Sequence, residues 1–220
     1  MGQYDNAGQV CLAGTRLLVE EPIYDEFLRR MEAGAKQIRV GDPRDAQTQV
    51  GPLITNQHLE RVDGFVERAR MQGAKLVYGG RVSPKLGGLY YEPTLFADVP
   101  ENAEILKKEV FGPVLTIQRF RDEDEAIRLA NNSEYGLAAT LFTRDEGKAN
   151  RVSESLVAGT VWINCFFVRD LVAPFGGAKQ SGIGREGGHW SFDFYCDVKN
   201  VVSRKGTFAG GHGSAGFKAL

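Results

Sequence analysis

Pro113-Val114-Leu115-Thr116-Ile117, followed at Asp122-Glu123-Asp124-Glu125 by a turn into Ala126, Ile127 and Ala130, is the stretch that decides the fold. Its first part is strand-like. Asp122 with Glu125 resembles a capping box, in which acidic side chains meet the unpaired N–H groups at a helix start, and an apolar face follows. A strand feeding a capped helix is half of a repeating α/β unit. Toward the C-terminus, Leu137 to Phe142 returns as a strand, Asp145 to Leu156 as a helix and Thr160 to Asn164 as another strand. Toward the N-terminus, Thr15-Arg16-Leu17-Leu18-Val19 has the character of a buried strand. Pro22 opens a helix whose Ile23, Phe27 and Met31 recur at four-residue spacing. Thr55 is placed to cap a further helix carrying Leu59, Val62, Val66 and Ala69 on one face, and Gly73 to stop it. Lys75 to Tyr78 is a short strand ended by Gly79-Gly80, and Tyr90 to Val99 is another extended piece. This alternation predicts an α/β fold with a doubly wound, largely parallel sheet.

Composition sets the outer limits. The chain has 220 residues, 42% hydrophobic and 25% charged, enough for a core of ordinary globular kind. A formal net charge of −1 gives no reason to expect nucleic acid or an anionic membrane as partner. No apolar run approaches the ~20 residues of a membrane span, and Met1 is followed by neither a basic nor an apolar leader region, so a cytoplasmic location is expected. Cys11, Cys165 and Cys196 form no close pair and no metal-ligand spacing, which predicts free thiols and no metal.

Asn6-Ala7-Gly8-Gln9-Val10-Cys11 is the stretch with chemistry in it. A thiol is a useful nucleophile only when its thiolate is accessible and stabilised, and Gly8 allows close backbone approach just ahead of the sulfur. By itself the hexapeptide also fits a small core residue between Val10 and Leu12. Further along come Glu109-Val110-Phe111-Gly112-Pro113, Gly159-Thr160-Val161-Trp162-Ile163-Asn164 and Pro174-Phe175-Gly176-Gly177-Ala178-Lys179-Gln180-Ser181-Gly182. With Gly8 to Cys11, these motifs in this order resemble the aldehyde dehydrogenase superfamily, from about Tyr4 to about Lys205.

The resemblance implies that Cys11 attacks an aldehyde to give a thiohemiacetal. That adduct gives hydride to a nicotinamide cofactor, NAD or NADP, and leaves a thioester for water to cleave. Such covalent catalysis divides one hard oxidation into two easier steps. It also implies that the Cys11 N–H helps stabilise the developing alkoxide, that Glu109 accepts hydrogen bonds from the nicotinamide ribose, and that Phe111 flanks the ring. The residue types suit these tasks, since a carboxylate can accept two hydroxyls and an aromatic face can limit the swing of a planar ring. The family's asparagine oxyanion donor and glutamate general base both lie upstream of the cysteine, outside these residues. The 220-residue chain by itself is therefore expected to fold without turning aldehydes over.

Cys165-Phe166-Phe167-Val168-Arg169-Asp170-Leu171 follows a strand C-terminus, where α/β folds place ligand contacts. It resembles the substrate loop of hydroxymuconic semialdehyde dehydrogenases, including those acting on the 5-carboxymethyl compound. Such aldehydes carry carboxylates, which the Arg169 guanidinium can hold by a bidentate pair; the alternatives are an Arg169–Asp170 surface pair or a structural ion pair. In those relatives a second basic residue often follows, where this chain has Val172 and Ala173. Cys165 and Phe175 are placed beside the substrate by the same resemblance, while aromatic neighbours predict inert, buried thiols at Cys165 and Cys196. Asn164 is expected to make structural hydrogen bonds, and His58, His189 and His212 to be structural or solvated. The glycine-rich run from Pro174 lacks the spacing of a phosphate-binding loop and is set aside as a cradle.

The expected organisation is a catalytic domain over residues 1–197 lacking the upstream cofactor domain, an oligomerisation strand over 198–205 and a flexible glycine-rich tail over 206–220. An unpaired edge of that kind favours a homodimer or larger homo-oligomer. The rival is an inactive stand-alone domain that acts only in association or ligand retention.

Overall fold

The structure, a computed structural model, describes residues 2–203 and 205. Its strands are β1 (Arg16–Glu20), β2 (Lys75–Tyr78), β3 (Thr94–Ala97), β4 (Val114–Phe120), β5 (Ala138–Leu141) and β6 (Thr160–Ile163). The α-helices are α1 (Tyr24–Gln37), α2 (Asn56–Met71), α3 (Glu123–Asn131), α4 (Glu146–Ser155) and α5 (Trp190–Tyr195). Four strands form one sheet in the order β1-β4-β3-β2, with β4 parallel to both β1 and β3 and with β2 antiparallel to β3. Registers such as Arg16 with Thr116 and Thr94 with Val114 fix the parallel pairs. β5 and β6 make a separate parallel pair, Ala138 opposite Thr160. The architecture is thus the expected α/β fold with a mostly parallel sheet, although its parallel strands fall into two hydrogen-bonded groups.

β3 is buried at every residue and β4 from Val114 to Gln118, so both faces of the sheet centre are covered, as parallel strands require. α1 packs on β1, β2 and β3, and α3 on β1, β4 and α4. Two helix starts carry the caps expected from the sequence, at Thr55 and Asp122, and Asp145, read only as a helix start, caps a third. Thr55 Oγ1 accepts from the His58 N–H at 3.1 Å, Asp122 Oδ1 from Glu125 N–H at 2.9 Å and Asp145 Oδ1 from Lys148 N–H at 2.9 Å. The Glu125 carboxylate reaches back to the Arg121 N–H, one residue ahead of the cap, rather than to Asp122 itself. Gly73, at φ +91°, ends α2.

One expectation is corrected here. Ile23 is 56% exposed and not on the buried face of α1, because Pro22 lies in a 3-10 turn, Glu21–Ile23, and the α-helical frame starts at Tyr24. The inward stripe is instead Tyr24, fully buried, with Phe27, Leu28, Met31 and Ala35. Val198 to Ser203, expected to join a neighbouring subunit's sheet, pairs with no strand among the described residues, and Val198, Val201 and Val202 are exposed. The tail over 206–220 lies outside the described residues. No helix among the described residues is long and apolar enough to cross a membrane.

Candidate active site

Cys11 follows a tight turn, Asp5–Gly8, in which Asn6 (φ 50°), Ala7 (φ 55°) and Gly8 (φ 72°) all adopt left-handed backbone. That conformation costs a non-glycine residue roughly 1–3 kcal/mol, so something must impose it. Asn6 Nδ2 donates to the Gln9 carbonyl at 3.1 Å and Gln9 Nε2 to the Asn6 carbonyl at 3.0 Å, a reciprocal clamp across the turn. Ala7 is buried, and a Cβ on Gly8 would collide with the Gly112 carbonyl. Gln3 Nε2 donates to the carbonyls of Gly112 and Val114, both at 2.9 Å. The turn is thereby pressed onto the Glu109–Pro113 motif, which explains the glycine at position 8. Cys11 itself is exposed, and among the described residues its N–H donates to no partner. A thiol and an N–H without a partner among the described residues are therefore set together at one exposed position.

α2 grips the backbone of the same motif. The Arg61 guanidinium donates to the carbonyls of Glu109 and Val110 and lies over the Phe65 ring. His58 Nε2 stands 2.7 Å from the Phe111 carbonyl, an acceptor, so that nitrogen carries the proton. The two rings meet edge-on at 6.3 Å. Phe111 has φ 59°, and a Cβ on Gly112 would come within 2.6 Å of Val62. With their carbonyls engaged, the Glu109 side chain stays exposed and the Phe111 side chain half-buried. Gln9 ties the cysteine loop into this assembly, its Oε1 accepting from the Ile54 N–H at 3.0 Å just ahead of α2. The sequence reading missed Arg61, whereas His58, expected to be structural or solvated, makes a structural bond to the Phe111 backbone. Their positions one helical turn apart, beside Val62 and Phe65, are the signal that marks a shared face.

Beyond β6, Asn164 makes the structural bonds expected of it, accepting from the Thr143 N–H at 2.9 Å and donating to the Thr143 carbonyl at 2.8 Å. Trp162 Nε1 donates to the Val168 carbonyl at 2.8 Å and pins the loop, while Trp162, Phe166 and Phe167 pack as a cluster. A Cβ on Gly2 would be 3.7 Å from Phe166, so the chain leading to Cys11 runs against this cluster. Arg169 lies over the Phe175 ring with its guanidinium carbon 4.2 Å from the centroid, and Nη2 is 3.7 Å from Glu186 Oε1. Asp170 is not its partner: that carboxylate accepts from the Val172 N–H at 3.0 Å.

Several amides of the glycine-rich loop are bonded within the protein itself. Phe175 and Glu186 exchange both backbone bonds, Ala178 donates to Gly136 and Gln180 to Glu134. Cys165 is half-buried, but Cys196 is exposed, contrary to the buried thiol expected, because α5 leaves Phe192, Phe194 and Tyr195 largely uncovered. A groove of about 600 Å³ opens beyond the ends of β5 and β6, lined by Phe142, Thr143, Arg144 and Ile163 among others. None of Cys11, Glu109, Phe111 or Arg169 lines it. Among the described residues no cluster of His, Cys, Asp or Glu is arranged to hold a metal ion.

The chain is similar in sequence and fold to known proteins. The chain is 46% identical over 203 residues to the 2-hydroxymuconic semialdehyde dehydrogenase of Pseudomonas sp. (strain CF600), an alignment covering 90% of this chain and 42% of that protein. It is 45% identical over 197 residues to the mitochondrial aldehyde dehydrogenase of Homo sapiens, covering 90% and 38%. A crystal structure of betaine aldehyde dehydrogenase from Staphylococcus aureus in complex with NAD+ superposes with a TM-score of 0.85 at 43% identity, covering 88% of this chain and 39% of that one. The chain thus spans about two fifths of the length of the curated relatives it matches. The profile of the aldehyde dehydrogenase family matches residues 1–201, and on that extent of agreement the chain belongs to the aldehyde dehydrogenase family.

Proposed function

We propose that these residues carry the thiol half of an NAD(P)-dependent aldehyde oxidation, with a carboxylate-bearing semialdehyde as substrate and the corresponding acid as product. The observation that carries this is the docking of the Cys11 loop onto the Glu109–Pro113 motif through Gly8, Gln3 and Gln9. Cys11 acts as nucleophile: its sulfur adds to the aldehyde carbon, and the Cys11 N–H, which has no partner among the described residues, donates to the oxygen on which negative charge develops. A bound nicotinamide would supply the hydride acceptor. The site fits such a group, since the Glu109 carboxylate has no hydrogen-bond or ion-pair partner among the described residues and is open to ribose hydroxyls, while Phe111 offers a ring face. Arg169 takes the substrate carboxylate, with Phe175 and Cys165 lining the approach. The named relatives include a semialdehyde dehydrogenase, and a neighbouring structure holds NAD+, which supports both assignments.

Thiol mapping tests the nucleophile. Cys11 and Cys196 are both exposed, so accessibility alone does not choose between them. With limiting iodoacetamide followed by peptide mapping, Cys11 is expected to label first and to be protected by prior incubation with succinate semialdehyde, whereas labelling of Cys196 is not. Preferential labelling at Cys165 or Cys196, or no protection at Cys11, would remove Cys11 from this role.

A further inference from the structure

Arg169 has no hydrogen-bond acceptor among the described residues; what holds it is an aromatic ring and a carboxylate beyond hydrogen-bond range. Both come from one backbone device. Phe175 and Glu186 form an antiparallel bridge, with N–H to carbonyl distances of 2.7 and 2.8 Å in the two directions. Residues directly opposite in such a pair project their side chains to the same side, so the ring and the carboxylate reach Arg169 together. The bridge is tied to the Arg169 loop, since Gly188 N–H donates to the Leu171 carbonyl at 3.2 Å and a Cβ on Gly187 would collide with the Ala173 carbonyl. The Arg169 side chain remains 37% exposed and the Glu186 side chain 50%. Its competing acid, Asp170, is engaged with its own loop backbone.

We propose that Glu186 is a specificity-determining residue, a resident carboxylate that occupies the place of the substrate's carboxylate beside Arg169. The proposal rests on the assignment of Arg169 as the carboxylate-binding group. At 3.7 Å the pair gains Coulomb attraction without a charge-assisted hydrogen bond, so the donors of the guanidinium stay available. An incoming acid therefore meets a cation that is held in place but partly neutralised, and the Phe175 ring keeps the plane of the guanidinium fixed while the carboxylate partner changes. A neutral aldehyde meets a balanced pair rather than a bare charge. Charge preference at this site is thus set by two opposed side chains, one attracting the acid and one competing with it.

Succinate semialdehyde and butanal, which differ in the terminal carboxylate, separate these effects. The readout is the concentration of each that half-protects Cys11 from iodoacetamide, a binding measurement that needs no turnover, and the ratio of the two values reports charge preference. Arg169→Met is expected to remove the preference for the acid. Glu186→Gln, which keeps size and polarity, is expected to sharpen the preference by roughly two- to fivefold, the range of a half-exposed ion pair. In the double variant the effect of Glu186→Gln should vanish, because it acts only through Arg169. If Arg169→Met changes the ratio while Glu186→Gln leaves it unaltered or lowers it, the Glu186 proposal fails and the Arg169 assignment survives. If Arg169→Met leaves the ratio unaltered, the Arg169 assignment fails first. A Glu186→Gln effect that persists in the double variant would also overturn the proposal.

Discussion

Burial pushes the Tyr4 phenol above its ordinary value of 10, and its hydroxyl donates to the Thr94 carbonyl at 3.2 Å. The folded chain keeps this phenol neutral where the unfolded chain ionises it. Its contribution to stability is therefore fully present below about pH 10 and is lost as pH rises beyond that value. Tyr4→Phe should lower stability near pH 8 by about 1 kcal/mol, the worth of a hydrogen bond. In denaturant titrations the gap between the two proteins should then narrow as pH rises above 10. A gap that stays constant through that range would mean that the phenol is not held neutral by the fold. Tyr4 belongs to the segment that leads into Cys11, and nothing in its immediate sequence marks it as core. Cys11, Gly8, Glu109 and Phe111 stand out in the sequence because each sits in a local motif. What Gly8 approaches, the Gly112 carbonyl, was not legible, because that contact joins residues far apart in the chain and depends on how the loops dock.

Most helix starts were legible for a physical reason: Thr55, Asp122 and Asp145 each accept from the N–H three residues on, a contact set entirely by local sequence. Ile23 misled because four-residue spacing to Phe27 and Met31 counts from a residue that is still in the 3-10 turn. Strand pairing was less legible still. β2 turns out antiparallel to β3, and no helix intervenes between the two to carry a parallel crossover. At this scale α2 links fold to site, since it offers His58 and Arg61 to the backbone of Glu109–Phe111. His58→Ala leaves the Phe111 carbonyl without its donor at a residue already in left-handed backbone, and should cost about 1 kcal/mol in chemical denaturation. His58→Gln, whose amide can donate, should recover most of it. Equal losses in the two variants would assign the effect to edge-on packing of the rings, not to the hydrogen bond.

Over the whole molecule, the sheet centre is closed on both faces while the segment after α5 is not. Val198, Val201 and Val202 are 94%, 78% and 85% exposed, and the chain provides no strand beside them among the described residues. Fully burying a valine is worth roughly 1.5–3 kcal/mol relative to leaving it in water. Three in one short segment without regular structure therefore favour a partner surface, and an unpaired backbone favours a sheet edge. The expected partner is a second copy, with residues 198–203 adding to a neighbouring subunit's sheet, because closed symmetric assembly satisfies both copies by one contact used reciprocally. Sedimentation velocity over a range of protein concentrations should then find a dimer or larger assembly. Val201→Asp combined with Val202→Asp should shift it to monomer, since each new carboxylate would have to be desolvated in the interface. Because both positions are exposed in the single chain, the denaturation midpoint measured at low concentration should change little. Assembly that survives both aspartates would place the interface elsewhere, and a monomer at every concentration would leave these valines without the role assigned to them.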